Sequence, residues 1–133
     1  MLGMTSCSAV QSAPVVTAKI PNFEPATEIR KGQPNVYLIV KVMDSNYWQV
    51  IVNGARTAAN EAGINLYLSG TDNETDWQSQ MQIISKAIDA KADGLILSPD
   101  DSIKLTGVIG QLHDKQVPIA LIDTVVNYDV FDI

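Results

Sequence analysis

From residue 36 onward, two rhythms of apolar and polar positions alternate along the chain. Val36-Tyr37-Leu38-Ile39-Val40-Lys41-Val42 is a nearly continuous apolar, β-branched run, with Pro34 before it and Asp44-Ser45-Asn46 after it. Such a run predicts a strand buried on both faces, the signature of a parallel sheet. Trp48, Ile51, Val52, Ala55, Ala58, Ala59 and Ala62 then recur by threes and fours, which predicts a helix with a small-residue stripe. Gly63 is its natural left-handed stop. Residues 64–68 read as a second strand, and Thr71-Asp72-Asn73-Glu74 supplies capping oxygens for a second helix lined by Trp77, Met81, Ile84 and Ile88. Residues 94–97 form a third strand, stopped by Ser98-Pro99. Asp100 and Asp101 can cap a helix carrying Leu105, Val108, Ile109 and Leu112. Residues 117–122 make a fourth strand, and Val130-Phe131-Asp132-Ile133 starts a fifth.

The order βαβαβαββ predicts an α/β fold. The sheet is doubly wound and parallel, a flavodoxin-like lobe with strand order 2-1-3-4-5 and right-handed crossovers. Ligands of such sheets bind outside the carboxyl ends of the strands. That rule selects the loops at 44–48, 69–73, 98–102 and 123–128. Residues 1–35 read differently: they hold four of the six prolines and no sustained apolar periodicity. They are expected to be a lipoprotein-like leader and a flexible tether or loosely docked arm, with residues 36–133 as the folded lobe.

A chain of 133 residues is long enough for one core. Its formal net charge of −6, with the basic residues scattered, argues against a nucleic-acid surface. No run of 18 apolar residues predicts a membrane-spanning helix. One Cys excludes an internal disulfide, and one Cys with one His makes a zinc site unpromising; no metal and no cofactor are expected. Asp44, Asp100, Asp101 and Asp123 would bind a divalent cation if clustered, as in a metal-dependent phosphatase or a phosphoacceptor receiver domain. That domain, however, carries its acceptor Asp at the end of the third strand, where this chain has Ser98. His113 falls on the polar side of the third helix near its C-terminus, a place for the helix dipole and solvent rather than catalysis. No enzyme chemistry is expected.

The loops suit a sugar better. Aromatic rings stack on the C–H faces of a pyranose or furanose while polar neighbours hold its hydroxyls, and Tyr47-Trp48 opens a helix just after a polar triplet. Trp48 fits the helix's buried stripe equally well, so both readings stand at this point. Without a glycine, that loop is no phosphate cradle. Asp123, followed by Thr124, ends an apolar strand with no capping role in view, and a carboxylate can accept hydrogen bonds from two vicinal hydroxyls.

In order and spacing these features form one pattern. Asp44-Ser45-Asn46 precedes Tyr47-Trp48; Asn53-Gly54-Ala55 lies in the helix that Glu61-Ala62-Gly63 closes. Gln78 and Gln82 follow, then Lys91-Ala92-Asp93-Gly94-Leu95-Ile96-Leu97-Ser98-Pro99, and Val117-Pro118-Ile119 leads to Asp123. Residues 36–133 thereby resemble the N-terminal lobe of type I periplasmic sugar-binding proteins, the family of ribose-binding proteins and LacI effector domains. The resemblance implies that Ser45, Tyr47, Trp48, Ser98 and Asp123 contact a sugar. Ribose-type members often carry Arg after that Asp; here Thr124 takes the place, which implies a different reading of hydroxyls. It also implies a partner ABC permease, with the sugar held between two lobes and no chemistry done. A sensor for sugar or autoinducer-2 feeding a membrane kinase uses the same lobe. A LacI-type repressor core would need a helix-turn-helix that residues 1–35 do not offer.

Family members are two-lobed, and residues 130–133 correspond to their first crossing between lobes. The expectation is therefore half a binding site, with an incomplete lobe prone to self-association. Met4-Thr5-Ser6-Cys7 also resembles a bacterial lipoprotein cleavage box, in which Cys7 is acylated; the alternative is an idle or buried thiol. Only six residues precede Cys7, without a basic n-region or apolar h-region. The expected location is extracytoplasmic, with membrane contact only through a lipid at Cys7.

Overall fold

Water reaches neither side of the first apolar run: Tyr37, Leu38, Ile39 and Val40 are at most 1% exposed. The computed structural model describes residues 13–15 and 22–127. Cys7 and the strand expected at 130–133 lie outside the described residues. In chain order the elements are β1 (Glu24–Pro25), β2 (Asn35–Val42), α1 (Asn46–Ala62), β3 (Asn65–Thr71), α2 (Trp77–Asp89), β4 (Gly94–Leu97), α3 (Thr106–Asp114) and β5 (Ile119–Leu121). They make one sheet in the order β1-β3-β2-β4-β5. The pairs β2–β3, β2–β4 and β4–β5 are parallel. The four helix-linked strands thus keep the expected 2-1-3-4 sequence and the α/β class.

Alternation along β2 sends Tyr37 and Ile39 to one face and Leu38 and Val40 to the other. The first pair packs with Leu95 and Leu97 against Ile83 and Ile84 of α2 and Ile109 and Leu112 of α3. The second pair packs with Leu66 and Leu68 against Trp48, Val52 and Ala59 of α1. Gly63 ends α1 at φ +67 and donates its N–H to the Ala59 carbonyl, as a left-handed cap should.

Four local expectations change. Ala58 and Ala62 are exposed, so the small-residue stripe of α1 narrows to Ala59 with Ala55 at its margin. The inward face of α2 is Gln80, Ile83, Ile84 and Ala87, and Trp77, Met81 and Ile88 flank it half-buried. A polar glutamine hid this rotation, because periodicity counts only apolar positions. The cap of α2 is Asp76, whose carboxylate accepts from the Ser79 N–H at 3.0 Å; Thr71 belongs to β3 instead. Before α3, Asp101 Oδ1 accepts from the Ile103 and Lys104 N–H groups, whereas Asp100 turns inward and caps nothing.

Of tether and docked arm, the segment just before residue 36 is the second. Over residues 22–35 the chain is docked: β1 pairs antiparallel with β3, and the Ala26 N–H reaches the Leu66 carbonyl at 2.8 Å. Phe23, Ala26 and Ile29 are buried. Phe23 meets Tyr37 edge-on at 4.7 Å, and Tyr37 stacks on Tyr67 at 5.0 Å. The Asn65 side chain clasps the same segment, accepting from the Arg30 N–H and donating to the Arg30 carbonyl, both at 2.8 Å. Pro25 is compatible with this because an edge strand spares one N–H. Covering β3 also removes an open sheet edge, a standing aggregation hazard. The apolar residues 23, 26 and 29 were too few to register as a period, yet enough to cover an edge.

This docking predicts that Ile29→Ala costs about 2–5 kcal/mol, the usual range for emptying a buried aliphatic site. Urea denaturation monitored by far-UV circular dichroism checks it; an unshifted midpoint would show the segment to be a tether after all.

Candidate functional site

The crossovers bring the carboxyl ends of β2, β3, β4 and β5 to one rim of the sheet. Lys41 is the penultimate residue of β2, Thr71 the last of β3, Ser98 the first after β4, and Asp123 lies two residues beyond β5. Asp123 is the hub. Its Oδ2 accepts from Lys41 Nζ at 2.9 Å and from Thr124 Oγ1 at 3.1 Å. Ser98 Oγ stands 3.5 Å from the same oxygen, and the Tyr47 hydroxyl donates to Oδ1 at 3.4 Å. Lys41 Nζ also donates to Thr124 Oγ1 at 2.7 Å. The Asp123 carboxyl is held below its ordinary range, first by the hydrogen bond from Lys41 and then by those from Thr124 and Tyr47, against partial desolvation. It is therefore a carboxylate at neutral pH, with acceptor capacity left over.

The backbone presents this group in an uncommon way. Asp123 has φ +64, and the Thr124 N–H closes on the Ile122 carbonyl at 2.7 Å, spanning a single residue. Asp tolerates the left-handed region better than most side chains, but such a turn carries local strain. It aims the Asp123 side chain back across the ends of β4 and β2.

The adjacent aromatics have opposite fates. Tyr47 is 57% exposed, whereas Trp48 is 1% exposed in the core beneath α1. The Trp48 indole N–H donates to Glu74 Oε1 at 3.3 Å. Of the two readings of Trp48, burial in the core cluster beneath α1 makes it a supporting residue rather than a stacking one, and its ring stands perpendicular to that of Tyr47 at a 4.9 Å centroid separation. Ser45 is the N-cap of α1; its carbonyl receives the Gln49 N–H while its side chain makes no capping bond. Ser45 is not drawn into the Asp123 cluster. Thr124, Ser98 and Tyr47 are.

Sequence reasoning missed Lys41 and Gln80 and gave Thr71 and Asp100 other roles. Lys41 is the only charge in its apolar run, and that isolation was the available signal. Gln80 is fully buried; its Nε2 donates to the Ser98 carbonyl at 2.9 Å and its Oε1 accepts the Asp100 N–H at 2.8 Å. It clamps the loop that carries Ser98. Thr71 Oγ1 lies 2.5 Å from the Lys41 carbonyl, 2.7 Å from the Asn73 carbonyl and 3.3 Å from Asp100 Oδ2. Asp100 Oδ1 is buried without a hydrogen-bond partner, and burial pushes this carboxyl up to about 6. Among the described residues, no three His, Cys, Asp or Glu side chains are placed to hold a metal ion. Asp123 is committed to a lysine and Asp101 to backbone N–H groups.

Comparison with known proteins follows the same outline. Residues 36–133 match the model of the periplasmic binding protein domain. A D-ribose/D-allose-binding protein from Pseudomonas aeruginosa is 25% identical over 122 residues, which is 90% of this chain and 35% of that protein. A carbohydrate transporter solute-binding protein from Agrobacterium radiobacter, solved with D-arabinose, superposes at TM-score 0.72 with 30% identity, covering 76% of this chain and 34% of that one. The periplasmic component of an ABC-type sugar transport system from Hahella chejuensis gives 0.70 and 31%, covering 74% and 36%. The chain spans about a third of the length of these relatives.

Two outcomes are expected from the rim. Trp48→Ala should cost about 3–5 kcal/mol and Tyr47→Ala close to nothing; equal losses in thermal melts would contradict their different burial. For Asp100, the native state binds its proton more tightly than the unfolded chain, where the ordinary value is 3.8. This group therefore costs stability at neutral pH, and the cost is relieved as pH falls from about 6 toward about 4. The stability difference between Asp100→Asn and wild type should narrow across that window in urea titrations, and a constant difference would refute it.

Proposed function

Since the chain belongs, through residues 36–133, to the periplasmic binding protein domain family, we propose that it supplies one wall of a sugar-binding site. The observation that carries this reading is the ionised Asp123 at the rim of the sheet, ringed by the hydroxyls of Ser98, Thr124 and Tyr47. A carboxylate is acceptor-only and can take hydrogen bonds from two sugar hydroxyls, each strengthened by its charge. Tyr47, exposed beside it, offers a ring face for sugar C–H groups, and Trp48 beneath fixes where that face stands. Ser45, with its hydroxyl uncommitted to the helix cap, is a further contact at the rim. The Gln80 clamp keeps the Ser98 loop from moving when ligand arrives, which spares the ordering cost of binding.

The role is capture and release, with no bond made or broken. In this reading the receptor works outside the cytoplasm and hands its sugar to an ABC permease, and acylation at Cys7 is its anchor. The relatives are about three times as long as this chain, so the opposing wall of the site comes from the remainder of such a receptor. A single open wall buries little of a small ligand, and millimolar affinity is expected of it alone.

Titrating the 15N-labelled chain with D-ribose, D-allose and D-arabinose tests this. Saturable amide shifts at Tyr47, Ser98 and Asp123 are expected, and Asp123→Ala should weaken binding tenfold or more, given about 1.5–3 kcal/mol for a hydrogen bond to a charged group. Unmoved amides at every sugar, or undiminished binding in Asp123→Ala with its fold intact, would remove the sugar site from this rim.

A further inference from the structure

We infer that Asp100 is a positioning residue: as a neutral acid it donates to the Thr71 hydroxyl, and the presence of that one proton sets how firmly the rim is held for its ligand. The inference rests on the sugar-binding reading of the rim. It adds to that reading a residue that touches no ligand and a dependence on pH.

Counting hydrogens leads there. Thr71 Oγ1 has the Lys41 carbonyl, the Asn73 carbonyl and Asp100 Oδ2 at 2.5, 2.7 and 3.3 Å. A hydroxyl carries one hydrogen and a carbonyl carries none. Thr71 can therefore satisfy one of its three neighbours. The only member of this knot able to bring a second hydrogen is Asp100, protonated on Oδ2. Its Oδ1 is buried without a hydrogen-bond partner, so ionisation places charge on an oxygen that has no donor. The backbone fixes Asp100 in this position, because the buried Gln80 side chain accepts its N–H at 2.8 Å and donates to the Ser98 carbonyl at 2.9 Å.

Three charged groups face Asp100: Lys41 from β2, Glu74 from the loop after β3, and Asp76 from the cap of α2. Two of the three are anions, and Lys41 is already paired with Asp123 at 2.9 Å. Burial, helped by the two carboxylates and opposed by Thr71 and Lys41, pushes Asp100 up to about 6 from its ordinary 3.8. In the fold the acid is thus neutral at about pH 5 and ionised at about pH 7.5.

The knot lies beneath both halves of the rim. β2 and β3 pair in register up to Val40 opposite Gly70, and the next pair is Val42 with Thr71. Lys41 is the extra residue of a β-bulge, which leaves it outside the regular ladder; the Thr71 hydroxyl takes its carbonyl instead. The Asn73 carbonyl, on the same hydroxyl, leads to Glu74, which accepts the Trp48 indole N–H at 3.3 Å. Trp48 in turn stands edge-on to Tyr47. A neutral Asp100 leaves the Thr71 hydrogen to these carbonyls. An ionised Asp100 draws that hydrogen to itself and competes with Asp123 for Lys41, loosening the supports of Asp123 and Tyr47 together.

The test follows wild type, Asp100→Asn and Asp100→Leu by NMR between about pH 5 and about pH 7.5, where the proton is exchanged. In the wild type the Asp100 Cγ resonance should titrate near 6, and the amides of Lys41, Asn73 and Glu74 should shift with the same midpoint. In titrations with D-ribose, D-allose and D-arabinose, the sugar that binds should bind about fivefold more tightly at the acid end, a modest coupling between linked sites. Linkage then requires bound sugar to raise the Asp100 midpoint. Asp100→Asn, whose amide replaces the donor, should bind throughout as the wild type does in acid. Asp100→Leu, of similar shape but without a donor, should bind more weakly than Asp100→Asn throughout. His113 is common to all three proteins, so its own protonation cancels in the comparison. A Cγ midpoint near 3.8, amides that ignore that midpoint, wild-type binding that does not change with pH, or Asp100→Leu binding like Asp100→Asn each overturns the inference. Amides that respond to no sugar at any pH sink the underlying reading instead, while the Cγ and amide titrations still decide the proton, so the two failures are distinguishable.

Discussion

A central strand with four consecutive residues sealed from water, Tyr37 to Val40, constrains everything around it. Neither face can be left open, so α1 must cover one side and α2 with α3 the other. Parallel neighbours follow, because each strand is reached by a helix that returns the chain to the opposite end. Once the faces are closed, the carboxyl ends of the strands are where successive loops meet. The polar residues at those ends, Lys41, Thr71, Ser98 and Asp123, are neighbours because the apolar residues before them had to be stacked.

Buried polar groups then determine how precisely that rim is held. Gln80 lies inside the apolar face of α2 and is tolerated because both ends of its amide are bonded to the loop after β4. Asn65 performs the same office at the other end of the sheet, tying residues 30 and 35 to β3. In each case one side chain turns a loop from a flexible connection into a fixed one. The Tyr37 hydroxyl and one oxygen of Asp100 are buried without a partner, and the raised proton affinity of Asp100 is the cost of placing a carboxylate where the loop must fold inward.

For ligand capture, such a rim has the right division of labour. The supports (Trp48, Gln80 and Thr71) are buried, and the groups available to a ligand (Tyr47 and the Asp123 carboxylate) reach outward. A site assembled from rigid strand ends does not have to be ordered by whatever it binds. The strained turn at Asp123 belongs to the same scheme, since it points a charged group across the rim rather than away into solvent.

Much of this was legible in one dimension. The apolar run at 36–42, the threefold and fourfold recurrence after Trp48 and the stop at Gly63 determine the strands, the helices and the α/β class, because burial on two faces and on one face leave different periods. The same pattern selects Tyr47, Ser98, Asp123 and Thr124 as rim residues, since loops at strand ends follow from the order of elements. Three matters were decided only by tertiary structure. Whether Trp48 or Tyr47 faces outward depends on the rotation of α1 on the sheet, which neighbouring aromatics in sequence do not reveal. Phe23, Ala26 and Ile29 are docked because β3 presents an edge that needs covering, a fact about a strand some forty residues away. Lys41 is joined to Asp123 by a one-residue bulge and a left-handed turn. Periodicity records which side of a strand meets water; it contains no term for where an extra residue or a positive φ aims a side chain.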